Sequence, residues 1–535
     1  MDRFSQWGGG ASFGVFFPKT ELSPLHIQIR WLKCSASSYP NHMPGLIQLT
    51  ASDIVSLYRP TPCSLRLYLH SNGVEESEPS AFDDIIQTLG QVHEQKHLAT
   101  LGAYEDIGAV EHGQRVSRTL AAIQSRVPVV YQGEFQHELE MSGSPVVVVG
   151  RPDFLIFDGE GYIIRDSKLS RKVDERHHEE IVLQLQLYGW LFEQATGTRA
   201  KRLEVHTGAG DFVDVPSDGG VAALAKLAEV LAIKKLTTEP FEPVGWSKCK
   251  AGCGYAGRCW AKAIERNDVS LVVDIDQGLA RQLHSDGITT PQELLSRMDS
   301  PSLSELKRPW GARQQKVGKK ASDILLYAEA LATGKEKVVA PIALPVHDNY
   351  VMFDLEGMPP NLDDLEKIYL WGVQVFGARP GNFIGATSGF GVDGDREGWE
   401  AFLDAAADIF AEYGDILFVH WHHYERVHIE MYITRYGDPN GVAARVLRNL
   451  LDLLPITKKS IVLPLPSYSL KVVEEYVGFE RTQEEYGGSW AMAKFILATE
   501  TDDEAERNGH MAEILRYNEE DLAATWAVFE WLRSK

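Results

Sequence analysis

Cysteine is scarce in this chain, with five residues in 535. So few thiols exclude a disulfide framework, and a reducing compartment is their natural setting. No run of about 18 uncharged apolar residues occurs, so nothing reads as a membrane span. The start of the chain lacks the basic stretch and short apolar core of a secretory signal. The expected location is therefore the cytoplasm. An excess of positive charge is also missing: 75 acidic side chains outnumber 53 basic ones, for a formal charge of −22. Bulk charge thus excludes non-specific attraction to a polyanion, and any contact with nucleic acid has to come from a local site. No Gly-x-x-x-x-Gly-Lys-Ser/Thr run is present, which leaves the chain without an ATPase motor of its own. Internal repeats and low-complexity tracts are absent as well.

What is present suffices for several cores, since 44% of 535 residues are hydrophobic and a domain takes roughly 100–200 residues. Residues 1–45 have no sustained period and read as a leader, with Met43 as a candidate native start and Cys34 without a role. An α/β domain is expected over 46–265, with helical periodicity near 81–103, strands near 146–157 and 162–169, and a long amphipathic helix from Glu179 to Ala195. Residues 266–334 read as a separate module that is helical throughout, with Gly287 at a turn and Thr290-Pro291 at a helix start. Residues 335–349 carry prolines and no period, and read as a linker. A second α/β domain is expected over 350–535, where strands (350–356, 367–376, 415–420) alternate with helices (397–412, 424–436, 506–533). The fold class is thus α/β and multi-domain.

Three constellations carry chemistry. In the first, Asp153 follows Gly150-Arg151-Pro152, while Asp166 and Lys168 follow a turn signal at 158–161. Residues two apart on a strand share a face, so Asp166 and Lys168 project together, beside Asp153 on the neighbouring strand. Two carboxylates can hold Mg²⁺ or Mn²⁺, and the lysine can orient a water or stabilise charge developing on phosphorus. His93 lies in a helical stretch and offers an imidazole to a metal. Gln184 and Tyr188 share a helix face. Each element alone is weak, because a lone Asp-x-Lys marks a solvated strand edge just as readily. Taken in order, Gly90 to Glu94, Pro152-Asp153, Asp166-x-Lys168 and Gln184-x-x-x-Tyr188 resemble the RecB-like branch of the PD-(D/E)xK nucleases over about 49–263. The resemblance implies a restriction-endonuclease-like α/β core, metal ligation by His93, Asp153 and Asp166, and a catalytic Lys168.

In the second constellation, three residues separate Cys249 from Cys253 and five separate Cys253 from Cys259, and Cys63 is the one thiol left outside the leader. Four thiolates suit a [4Fe–4S] cluster or a structural zinc. A ligand as distant as Cys63 disfavours a local zinc loop, and a metal clip would tie the two ends of the domain together. Buried free cysteines are the plain alternative. The arrangement resembles the iron–sulfur subset of RecB-like nucleases, which place one cysteine before the core and three after it.

The third constellation lies in the C-terminal domain. Asp354 and Glu356 fall on one face of a strand-like run, and Tyr517 and Asp521 stand one helical turn apart. Carboxylates on a strand and a helix can grip divalent ions, with the tyrosine positioning a water. These residues resemble the first and last motifs of DEDDy-type RNase H-like exonucleases, in particular the YprB-like domain that accompanies RecB-like nucleases. The middle motif reads His420 to Glu425, so Glu425 stands where the family has aspartate, with Asp452 as an alternative ligand or a helix start. The stretch from Leu463 to Lys471 with Tyr476 to Phe479 reads as packing.

In the module between, Lys307, Arg308, Arg313, Lys316, Lys319, Lys320, Lys335 and Lys337 gather in an acidic protein. With Gly287 and a turn near Gly311 they resemble helix-hairpin-helix elements that contact DNA phosphates, although a charge run is also an ordinary solvated face. Together the resemblances imply a metal-dependent DNA nuclease, an exonuclease on single-stranded ends serving repair, recombination or defence, with room for a helicase partner. The alternatives are a 3′→5′ exonuclease working mainly through the C-terminal site, and a non-catalytic nucleic-acid-binding adaptor.

Overall fold

The computed structural model describes residues 46–170, 172–174, 178–245, 248–310, 313–358, 366–389, 391–483 and 487–535. The leader, with Met43 and Cys34, lies outside the described residues, as does the turn at Gly311. Residues from Ile47 to Lys535 form one compact unit.

The N-terminal α/β region has two sheets. A six-stranded mixed sheet runs in the order Glu105–Asp106, Val129–Tyr131, Phe154–Phe157, Tyr162–Lys168, Arg202–Thr207, Phe212–Asp214. A three-stranded sheet pairs Ser144–Gly150 with Ile47–Thr50 on one side and Phe135–Met141 on the other. The strand expected over 146–157 is therefore two strands in different sheets. The break falls at Arg151-Pro152-Asp153, where proline has no N–H to give a ladder. Tyr162–Lys168 and Arg202–Thr207 pair in parallel, and such a pair needs a crossover. Helix Glu179–Thr196 provides it and is buried over most of its length, from Glu180 to Phe192. Its contacts with strands of both sheets place it inside the core rather than on a surface.

Helices Gln277–Ser285 and Pro291–Arg297 flank Gly287, whose φ of +72° is a conformation that glycine adopts at no steric cost. The helical hairpin expected there is present. The module is not helical throughout, however, because Lys307–Trp310 and Arg313–Lys316 pair as an antiparallel hairpin. Pro309 cannot serve a helix interior there. Nor does the module pack separately. Leu279, Ile288, Ile324 and Ala328 share one apolar core with Ile461, Val473, Val528 and Leu532 of the C-terminal domain. The linker joins that packing too, since Lys337–Val338 pairs with Ile461–Val462.

The C-terminal sheet has the order Ile384–Thr387, Lys367–Gly377, Asn349–Met358, Phe418–His420, Leu450–Asp452. Its first three strands are antiparallel and its last two run parallel to Asn349–Met358. Helix Glu504–Arg533 packs on the central strand. Helix Ala81–Thr100 of the N-terminal domain reaches across: Ile85 and Leu89 pack on Tyr369, Phe495 and Ile514. One turn beyond Leu89 on that helix come His93 and Glu94. No described helix is long and apolar enough to cross a membrane.

Candidate metal centres

Two clusters of acidic side chains lie where strands end. In the N-terminal one, the turn between the strands is built by Asp158, whose Oδ1 accepts from the backbone N–H groups of Glu160 and Gly161. That turn sets Phe154–Phe157 beside Tyr162–Lys168. The two aspartates then cross-bond: Asp166 Oδ1 accepts from Asp153 N at 3.0 Å, and Asp153 Oδ2 accepts from Ser167 N at 2.9 Å. Lys168 Nζ stands 2.9 Å from Asp166 Oδ2. Burial and the nearby Asp166 push the Asp153 carboxyl well above the usual range. Burial works to discharge Lys168, but Asp166 and Asp153 outweigh it and hold the ammonium.

Glu94 and Gln132 complete this floor. Gln132 Nε2 donates to Glu94 Oε1 at 2.8 Å and to Asp153 Oδ1 at 3.2 Å, and Tyr131 OH donates to the same Glu94 oxygen. Sequence reading had Glu94 within its motif without a role of its own and passed over Gln132. Glu94 follows His93 directly, and Gln132 carries a φ of 55° that no pattern announces. His93 stacks face to face on His206, with ring centroids 4.3 Å apart, and its Nε2 is buried without a hydrogen bond. His206 also stacks on His97, and Ser167 Oγ meets its Nδ1 at 3.1 Å. Burial lowers both His97 and His206 to about 4. Gln184 Nε2 donates to Tyr188 OH, pairing the two residues as their spacing predicts. A Cβ on Gly150 would stand 2.8 Å from Tyr188 Cδ1, so that glycine admits the ring.

The C-terminal cluster is tighter. Among the described residues, Asp354, Glu356 and Asp521 are the one set of three histidine, cysteine or carboxylate groups whose ligand atoms lie within 4.8 Å of one another. Strand Asn349–Met358 presents the first two, and helix Glu504–Arg533 brings Asp521 and Tyr517 onto them. Burial first and Asp521 second raise Glu356 to about 8, and the same crowding raises Asp354 well above its usual range. The Tyr517 hydroxyl hydrogen-bonds Glu356 and Asp521. Asn518 Nδ2 donates to Asp354 Oδ2 at 2.7 Å. A Cβ on Gly372 would sit 1.6 Å from Asn518 Oδ1, so the glycine on the facing strand makes room for this bond.

Cations meet this cluster from one side. Lys471 Nζ lies 2.8 Å from Asp521 Oδ1, and Arg481 bonds the same oxygen while also gripping buried Glu474. The stretch expected only to pack thus places Lys471 in the site. Glu425 lies close enough to help raise Asp354 but is otherwise engaged. Its Oε2 is 2.9 Å from His420 Nδ1, and the His422 carbonyl oxygen is 2.6 Å from that nitrogen. Both neighbours are acceptors, so Nδ1 carries the proton. Asp452 caps a helix start, with Oδ1 accepting from Leu454 N and His422 N. Its local role is the structural one.

The four thiols gather at the domain's edge. Cys63, Cys253 and Cys259 share an apolar cluster with Leu65, Leu69 and Tyr255. Burial pushes Cys63 up to about 12 and Cys259 to about 11, with Cys249 and Cys253 adding repulsion at each. No three of these sulfurs lie within 4.8 Å of one another. Four sulfurs around one zinc, each at about 2.3 Å, would be about 3.8 Å apart. Four of the eight basic residues in the run from Lys307 to Lys337 are ion-paired, Arg308 with Asp276, Lys316 with Glu305, Lys320 with Asp274 and Lys337 with Glu329.

Comparison with known proteins gives two family matches. Residues 66–260 match the model of the PD-(D/E)XK nuclease superfamily, and residues 351–533 match that of the RNase H superfamily. No curated protein matches the chain. A solved structure, that of SSO0001, aligns at 17% identity with a TM-score of 0.23, over 41% of this chain and 89% of its own, a level of likeness that carries no argument.

Proposed function

Residues 66–260 of this chain belong to the PD-(D/E)XK nuclease superfamily and residues 351–533 to the RNase H superfamily, and from that premise we propose a metal-dependent deoxyribonuclease that hydrolyses single-stranded DNA from its ends. The observation that carries the reading is the crowding of buried carboxylates in both domains, which raises Asp153, Asp354 and Glu356 toward protonation. Such a surplus of negative charge is what a divalent cation relieves. Bound Mg²⁺ or Mn²⁺ supplies a Lewis acid for the phosphoryl oxygens and lowers the pKa of a water. His93, Asp153 and Asp166 would hold it in the first domain, and Asp354, Glu356 and Asp521 in the second. Lys168, kept protonated, faces the charge that develops on phosphorus. Tyr188, fixed by Gln184, walls the first site, and Tyr517 orients a water over the second.

The cysteines complete the proposal. Cys63, Cys249, Cys253 and Cys259 would hold a [4Fe–4S] cluster as a staple, since four thiolates from the two ends of the domain suit such a group. Residues 46–265 would cut, 266–334 would support the strand, and 350–535 would trim or cut in turn. The proposed setting is the cytoplasm, in DNA repair, recombination or defence, with a helicase to open duplexes. A second reading makes the C-terminal domain the main 3′→5′ exonuclease, and the convergence of Asp354, Glu356 and Asp521 favours it.

Digestion of end-labelled single-stranded DNA in Mn²⁺ by anaerobically prepared protein separates these readings. Activity lost in Lys168→Ala and kept in Asp354→Ala supports the first. Loss only in Asp354→Ala transfers the chemistry to the C-terminal site. Binding without cleavage by the wild type makes the protein an adaptor and ends both.

A further inference from the structure

A cavity of about 720 Å³ lies where three parts of the chain meet. Its walls come from the segment beside the cysteines (Trp260), from the helical module (Arg308, Lys320) and from the C-terminal domain (Trp421, Lys458, Tyr468). The volume falls within the roughly 300–1,000 Å³ of sites that enclose a small organic ligand. Neither acidic centre contributes a side chain to it.

Three features of the wall specify an occupant. The first is aromatic: Trp260, with Lys250 over its ring, and Trp421 stand in the wall, and Trp421 is anchored by its Nε1–H donating to the backbone oxygen of buried Tyr468 at 3.0 Å. Fixed rings are platforms on which bases stack. The second is charge. Arg308 pairs with Asp276, and Lys320 and Lys458 share Asp274, the latter at 4.0 Å, so the wall carries one positive charge in excess inside a protein of formal charge −22. Local positive charge of this kind is what an acidic protein needs to hold a phosphodiester backbone. The third is position. Ser469 and Leu470 line the cavity, and the next residue is Lys471, whose Nζ touches Asp521. His422 also lines it, at a φ of 87° that non-glycine residues seldom adopt. Its N–H is held by Asp452, and strain of this kind gathers at functional sites.

We propose that this cavity binds unpaired nucleotides of a single-stranded polynucleotide, through stacking on Trp260 and Trp421 and a backbone contact at Lys458, and passes the strand to the Asp354–Glu356–Asp521 centre. The last step rests on the nuclease reading above. The binding itself does not. A duplex keeps its base faces stacked on each other and has nothing to offer these rings.

The test is anisotropy of fluorescein-labelled dT12 and rU12 in EDTA, where no turnover occurs, with wild type, Lys458→Glu, Lys458→Arg and Trp260→Leu. Lys458 is about one-third exposed, so its substitution spares the core. Lys458→Glu is expected to weaken binding at least fivefold and flatten the salt dependence, and Lys458→Arg to stay within about twofold of wild type. Trp260→Leu is expected to weaken binding about tenfold, the order of one lost base stack. The tighter of dT12 and rU12 names the polynucleotide. Unchanged affinity in both Lys458→Glu and Trp260→Leu overturns the proposal, as does equal binding of a dT12·dA12 duplex. If the wild type digests dT12 in Mn²⁺ while the variants bind normally, the cavity fails and the nuclease reading stands. If the variants bind weakly and the wild type digests nothing, the cavity stands and the nuclease reading fails.

Discussion

The two acidic centres answer the same problem, crowded carboxylates, in opposite ways. In the N-terminal centre the neutralising cation is built into the strand: Lys168 lies two residues from Asp166 and 2.9 Å from its oxygen. In the C-terminal centre the cations come from a segment that precedes Asp521 by 40 or 50 positions, and both bond the Asp521 carboxylate. Arg481 is further divided with Glu474, while Asp354 accepts from the Asn518 amide and Glu356 from the Tyr369 hydroxyl. One carboxyl, Asp153, is raised in the first centre and two, Asp354 and Glu356, in the second, so both centres take up protons before a metal arrives and the second takes up more. A site that stores protons where a metal belongs couples metal affinity to pH.

The largest effect that separates the centres is on turnover. Lys168→Met removes charge at nearly constant length and is expected to lower the rate of the N-terminal reaction about 10²–10³-fold while Mn²⁺ binding survives. Asp354→Asn is expected to remove the Mn²⁺ of the C-terminal centre itself. An electron paramagnetic resonance titration of free Mn²⁺ reads both, and equal loss of metal in the two variants breaks the contrast.

The pH dependence comes next. Glu356 is raised from the usual carboxylate range to about 8. Between those limits the folded, metal-free chain binds more protons than the unfolded one, so its stability falls as pH rises through that window. Mn²⁺ displaces the proton, and its stabilising shift in melting temperature is expected to be larger at pH 8.5 than at pH 6. A shift independent of pH removes the proton-storing character assigned to the C-terminal centre.

A smaller pair of substitutions tests how each centre is packed. Gly372→Ala drives a methyl into Asn518 Oδ1, 1.6 Å from the new Cβ, and should cost about 1–3 kcal/mol. Gly90→Ala, in the helix that carries His93, meets only Leu169 Cδ1 at 4.0 Å and should gain up to about 1 kcal/mol. Thermal melts of the two variants should move in opposite directions.

What the sequence made legible follows its range. Asp166 and Lys168, Asp354 and Glu356, Tyr517 and Asp521, Gln184 and Tyr188 are near neighbours, and strand and helix periods alone place each pair on one face. Lys471, Arg481 and Asn518 escaped because their roles depend on partners 40 to 164 positions away. Nothing local in Ser469-Leu470-Lys471 distinguishes a packing turn from a charged hand laid on Asp521. The imidazole stack of His93, His206 and His97 joins a helix to a strand more than 100 positions on, again beyond any period. The split at Pro152 and the hairpin around Pro309 were within reach, since proline in each marks where a continuous element must stop.

The finest test concerns Glu425. Its carboxylate is spoken for by the protonated Nδ1 of His420, with both side chains almost fully buried. A ligand already bonded to a proton donor contributes less to a cation than Asp354 or Glu356 does, so Glu425→Gln should leave Mn²⁺ affinity within about threefold. That magnitude is the modest end of what one altered hydrogen bond costs, about 0.5–1.5 kcal/mol. Removing the partner asks more of the site, because His420→Leu leaves Glu425 buried and unpaired beside Asp354. In that variant Glu425 is free to turn to the metal, and Mn²⁺ affinity is expected to rise rather than fall. A drop in affinity in Glu425→Gln as deep as in Asp354→Asn would make Glu425 a full fourth carboxylate, and His420 its orienting partner instead of its competitor.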